Sequence, residues 1–200
     1  QGCGSMARAM FKAGDYKNER LKDGTSVQFR LIGFNHDVTS SGIVVPTTWE
    51  MVDCMPNRYP WNQQDTNEGS WKDTYIRHLM NDPSGEIYQL LPDEIVELAV
   101  PVIKLTANTY DGSNEIIKTE DKFWIKSEKE LYGRNIFSAP GEGSWYEYYR
   151  QEDVPEGQYV VPCKVVRYLY EEIGIFEIGE HTEIYQYAQR DKSPPVRLRL

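Results

Sequence analysis

The sequence predicts one α+β domain of two or three short helices on a small, mostly antiparallel sheet with long irregular loops. Two hundred residues fit one domain with an elaborated edge, and a chain of that length buries enough apolar surface to fold without staples. Helical signatures sit mainly in the first half and strand signatures mainly at the ends. That order lacks the regular βαβ alternation of a parallel sheet.

Residues 1–5 read as a cloning scar ahead of Met6, and residues 6–24, polar with Gly14 and Gly24, as a short helix or arm leading into a domain over 25–200. Residues 27–34 alternate as a strand, with Val27, Phe29 and Leu31 on one face and Gln28 and Arg30 on the other. Gly42 marks a turn, and 43–54 read as a second extended stretch rich in β-branched residues. A long polar loop over 56–69 carries Tyr59, Trp61 and Asn62.

Ser70 is placed to cap a helix with Asp73 in its first turn. Trp71, Tyr75 and Leu79 recur every four residues with Ile76 beside them, one apolar stripe that ends at Asn81-Asp82-Pro83. Pro92, followed by Asp93 and Glu94, opens a second short helix whose apolar residues are Ile95, Val96 and Leu98. Residues 100–109 are β-rich, Asp111-Gly112 turns the chain, and 123–125 read as a short strand. Ser127 and Glu130 form a capping box for a helix that stops at Gly133. Further strands are expected near 158–170 and 173–178, and at 196–200, where Val196, Leu198 and Leu200 alternate with arginines.

The formal net charge is −9, which disfavours phosphate-backbone partners because no basic cluster offsets it. No run of about 18 apolar residues exists to span a membrane, and no charged segment precedes an apolar one as a leader would. The expected setting is the cytoplasm or a virion. Beyond Cys3, only Cys54 and Cys163 remain; their spacing makes neither a disulfide framework nor a zinc site, so both are expected as thiols.

Several blocks, in order, resemble an uncharacterised family of clostridial and gut-phage proteins. They are Phe29-Arg30-Leu31-Ile32-Gly33-Phe34-Asn35-His36-Asp37, then Val52-Asp53-Cys54-Met55-Pro56-Asn57-Arg58-Tyr59, then a Trp-led helix from Trp71 with Ile76, Arg77, Leu79 and Asn81. Leu90-Leu91-Pro92, Val102-Ile103-Lys104-Leu105-Thr106, Asp121-Lys122-Phe123-Trp124-Ile125-Lys126-Ser127-Glu128, Glu142-Gly143 and Tyr146-Glu147-Tyr148-Tyr149 continue it, over about residues 27–150. The family's Trp-Trp-x-Arg-Ser block is missing; 187–191 match it poorly, although Pro195-Val196-Arg197 fit its terminal strand, so the last quarter has diverged. The resemblance implies a C-type-lectin-like fold and a phage or prophage origin, and it carries no established reaction.

Four groupings could hold chemistry. His36, Asp37, Asp53 and Cys54 contain the residue types of a cysteine nucleophile and its base, but no cysteine-protease signature surrounds Cys54, and the stronger reading is that Cys54 ends a buried strand while His36 sits in a turn. Asp111, Ser113, Asn114, Glu115, Glu120 and Asp121 supply oxygens without EF-hand spacing, as a solvated turn does, so no metal or other cofactor is expected. His78 and His181 lack a paired ligand at helical spacing and read as surface residues. The aromatic run Trp145, Tyr146, Tyr148 and Tyr149, together with Tyr59 and Trp61, is either core or an exposed platform.

The functional expectation is a non-enzymatic binding or structural module that recognises a protein or glycan through those six aromatic residues, without nucleic acid or membrane, and with homo-oligomerisation open. An intracellular inhibitor of a host protein and a cysteine-dependent hydrolase are the alternatives.

Overall fold

The computed structural model describes residues 3–64, 66–108, 110–135 and 139–151. The strands expected near 158–178 and at 196–200, with Cys163 and His181, lie outside the described residues. Within them the architecture is α+β, with two small antiparallel sheets and six short helices.

The first sheet has the order β1–β2–β3, with β1 at Tyr16–Arg20, β2 at Ser26–Phe34 and β3 at Thr47–Met51. Residues 6–24 are therefore not a separate arm. Helix α1 (Cys3–Met10) is followed by β1, which pairs with β2 from Tyr16↔Arg30 to Arg20↔Ser26. Arg8 of α1 also makes a bidentate pair with Glu147 at 2.9 and 2.6 Å and lies over the Phe34 ring. The expected alternation in β2 holds as far as Phe29 and then stops, because Arg30 to Phe34 are all buried. Two hydrophobic clusters cause this. One gathers Val27, Phe29, Met51 and the helices, and the other gathers Leu31, Ile32, Phe34 and the tyrosines of 146–149. Gly33 sits at an irregularity in the β2–β3 ladder, and a Cβ there would lie 2.9 Å from the Tyr146 ring. Glycine is thus what allows that ring to pack against the strand.

The helix expected from Ser70 is two helices. Ser70 adopts a left-handed φ of 52° and donates its hydroxyl to the Ala107 carbonyl at 2.8 Å, so it opens the single turn α2 (Ser70–Asp73) without capping it. Thr74 is extended and accepts the Arg77 N–H, and it is the N-cap of α3 (Tyr75–Asn81). Trp71, Ile76, Leu79 and Met80 are buried while Tyr75 is half-buried, so the apolar stripe is split across the break. Helix α4 (Glu86–Leu90) has no counterpart in the sequence reading; α5 (Asp93–Leu98) follows Pro92, which is its N-cap.

Strands β4 (Val102–Asn108) and β5 (Glu115–Asp121) form a hairpin around Asp111-Gly112. The acidic stretch 115–121 is therefore a strand and not a cation loop. Asp121 is buried, accepting from Trp71 Nε1 at 2.9 Å, Thr119 Oγ1 at 2.6 Å and Arg77 Nε at 2.7 Å. Among the described residues no cluster of histidine, cysteine or carboxylates could hold a metal. Residues 123–125 are irregular rather than a strand. The capping box at Ser127 and Glu130 opens α6 (Glu128–Tyr132), and Gly133 closes it with a left-handed φ of 70°.

Candidate functional site

The run 145–149 is not a helix face; only 148–150 form a 3₁₀ turn, and the rings point into the protein. Tyr146 and Tyr149 are fully buried, as are Tyr148 and Tyr59 to within a few per cent. Trp61 and Trp145 are half-buried, with indole N–H groups donating to Asn67 Oδ1 at 2.8 Å and to the Leu131 carbonyl at 2.9 Å. The six aromatic residues expected as a platform are thus four core rings and two partly covered indoles. A single chain cannot reveal which aromatic rings face inward, because ring chemistry serves core and surface equally.

The buried tyrosines anchor two charge networks. In the first, Glu50 of β3 accepts from Arg30, from the Tyr149 hydroxyl and from Lys126 Nζ at 2.8 Å, while Arg30 also donates to the Tyr148 hydroxyl at 2.9 Å. In the second, Lys104 of β4 lies between Asp37, at 3.1 Å, and Glu130 of α6, with the Trp124 ring 4.2 Å from its ammonium. Thr48 Oγ1 donates to Asp37 at 2.6 Å and the Tyr146 hydroxyl donates to it at 2.9 Å. Each charge is compensated where it is buried, which is the condition for tolerating it.

Burial by itself would push the Asp37 carboxyl up. Hydrogen bonding from His36, the Lys104 charge and the Thr48 hydroxyl together outweigh burial and hold it well below the usual carboxylate range. Folding therefore favours the ionised form. Its stabilising contribution is complete above about pH 4, the unfolded carboxylate value, and is lost as pH falls below that. Urea titrations should show stability dropping on acidification through this range. Asp37→Asn should be less stable than wild type at neutral pH and should lose less on acidification. An unchanged acid slope in that variant would assign the sensitivity to other groups.

Between these networks and solvent lies a cleft of about 460 Å³, within the size range of ligand sites. It runs along β3, which is an edge strand of its sheet among the described residues. Val45, Pro46, Trp49, Leu98, Val100 and Trp124 are among its apolar lining. Leu98 is 74% exposed and Val100 47%. Ile43 and Val44, next in sequence to the lining residue Val45, are also exposed. Asp37, Thr48 and Glu50 also line it, but their hydrogen bonds run inward, to the networks above.

His36 and Cys54 do not meet in this site. His36 follows the end of β2 where Phe34 pairs with Thr47, and Cys54 follows the other end of the same ladder, where Phe29 pairs with Met51. The four residue steps of β3 between those ends span about 13 Å at the usual strand rise. Cys54 is half-buried.

No protein-family model, curated protein or solved structure matches this chain. The cleft was not visible in the sequence because its lining segments, 45–50 and 95–126, are distant in the chain. No helix among the described residues is long and apolar enough to cross a membrane.

Proposed function

We propose that the protein is a recognition module, built on a C-type-lectin-like scaffold of phage or prophage origin, that binds an apolar segment of a protein ligand in the cleft beside β3. The observation that carries this reading is the exposed apolar lining, with Leu98 and Val100 gathered in one cleft with Val45, Trp49 and Trp124. Isolated exposed apolar residues need no explanation, but apolar side chains gathered around a concave surface mark a binding site. A glycan would need several uncommitted polar partners. The polar groups of this cleft already serve the internal networks, which favours a protein ligand. Lys122, whose ammonium donates only to the Val96 carbonyl among the described residues, adds positive charge to the lining of an otherwise acidic chain, so an acidic residue flanking the apolar segment suits the site.

A random dodecapeptide library displayed on phage and panned against the protein tests this. Selected peptides should carry apolar residues beside an acidic one. Leu98→Asp should weaken their binding at least about tenfold, the loss of one well-placed apolar contact, and should leave the melting temperature unchanged because Leu98 is exposed. Binders indifferent to Leu98→Asp, or selective binding only to a glycan array, would refute the reading.

A further inference from the structure

One arrangement outside the cleft has the geometry of an activated nucleophile. Ser144 is exposed, and its Oγ lies 2.9 Å from His36 Nε2. On the other side of the imidazole, Nδ1 lies 3.5 Å from Asp37 Oδ1. Nδ1 is buried without a formed hydrogen bond, and the carboxylate oxygen of Asp37 is the acceptor beside it. The ring is clamped by stacking on Tyr146, with centroids 3.8 Å apart and planes 27° apart. Tyr146 and Thr48 in turn hold Asp37 through their hydroxyls, and Lys104 holds it through its ammonium. An ionised, fixed carboxylate beside Nδ1 favours the tautomer with its proton there, which leaves the Nε2 lone pair for the Ser144 hydroxyl. The Ser144 carbonyl, 3.1 Å from Nε2, competes for the other tautomer, and the Asp37 charge opposes it.

We propose that Ser144 is an acyl-accepting nucleophile, with His36 as its general base and Asp37 as the positioning residue, acting on carboxylic esters that approach from solvent. Hydroxyl, base and orienting carboxylate in series are the parts such chemistry needs, and they are recognised by geometry rather than by sequence order. The step balances within these groups. The Ser144 Oγ–H proton passes to His36 Nε2 as Oγ bonds to the ester carbonyl carbon. Collapse of the tetrahedral species breaks the bond to the alkoxy oxygen, which leaves as the alcohol with the proton from Nε2. Water then attacks the acyl carbon, giving its proton to Nε2, and collapse breaks the bond to Ser144 Oγ, which takes that proton back from Nε2 as the carboxylic acid leaves. The backbone N–H groups of Ser144 and Trp145 donate to no acceptor among the described residues. Esters rather than amides fit an open site, because an alkoxide leaves more readily than an amine anion. Neither Ser144 nor His36 lines the cleft, although Asp37 borders it.

The test uses a fluorophosphonate, which phosphonylates an activated serine with loss of fluoride, and p-nitrophenyl acetate as the ester. Intact-mass analysis should show one adduct, peptide mapping should place it on Ser144, and nitrophenolate release should exceed the buffer rate. Ser144→Ala should abolish both. His36→Gln, which keeps a hydrogen-bonding side chain but removes the base, should lower both by about 100-fold or more, with Asp37→Asn intermediate. Far-ultraviolet circular dichroism separates a chemical loss in His36→Gln from misfolding, and Ser144→Ala, at an exposed position, reads the chemistry even if that variant misfolds. Absence of an adduct on the folded wild-type protein, an adduct at another residue, or ester hydrolysis undiminished in Ser144→Ala would each overturn the proposal.

Discussion

Lys104→Ala should destabilise the protein by about 3–5 kcal/mol, the cost of removing one partner from a buried ion pair. Its ammonium is the cation shared by Asp37 and Glu130, and all three side chains are at most 7% exposed. Burial opposes the lysine's charge, but the adjacent Glu130 and Asp37 carboxylates outweigh it and raise the pKa, so the residue stays charged. Without it, two carboxylates face each other's field in a poorly solvated space, with hydroxyls from Thr48 and Tyr146 as remaining donors to Asp37. Lys104→Met keeps most of the packing volume and should still lose most of that stability, because the deficit is one of charge. Equilibrium urea unfolding measures both variants. A loss below about 1 kcal/mol in Lys104→Ala, the range of a solvated surface pair, would mean that water reaches the carboxylates.

Tyr149→Ala should cost about 3–5 kcal/mol, as truncation of a buried aromatic residue does. The ring is fully buried, packs edge-on against Tyr148 with centroids 5.2 Å apart, and donates its hydroxyl to Glu50. Tyr149→Phe isolates that hydrogen bond. It should cost about 1.5–3 kcal/mol, because the acceptor is charged and buried. The pair of variants separates a core ring from a recognition ring. A ligand platform would lose binding and little stability, whereas a core ring loses stability first. A melting temperature for Tyr149→Ala equal to wild type would contradict its placement.

What could be read from the sequence divides along the range of the interactions involved. The capping box at Ser127 and Glu130 and the stop at Gly133 are local, and each follows from residue types within one turn. The helix break at Thr74 was hidden because Ser70 and Thr74 both suit an N-cap. What separates them is the Ala107 carbonyl, 37 residues away, which takes the Ser70 hydroxyl. Strand β5 was hidden because its carboxylates resemble a solvated loop; the partners that allow Asp121 to be buried, Arg77 and Trp71, come from other elements. Exposure of the aromatic run was undetermined for a similar reason, since Gly33, Arg30 and Glu50 make the space that receives those rings. Ser144 and His36, 108 residues apart, are neighbours only once β2 and the 139–147 segment are in place.

The cleft beside β3 as the recognition surface is most directly tested by mapping amide chemical-shift changes on the ¹⁵N-labelled protein as a selected dodecapeptide is added. Changes should concentrate at Val45, Thr47 and Trp49 and at Leu98, Ala99 and Val100, with the Trp49 and Trp124 indole signals moving and Tyr146, Tyr148 and Tyr149 left nearly still. Changes centred on Tyr59, Trp61 and 145–149, with the cleft residues unmoved, would contradict it.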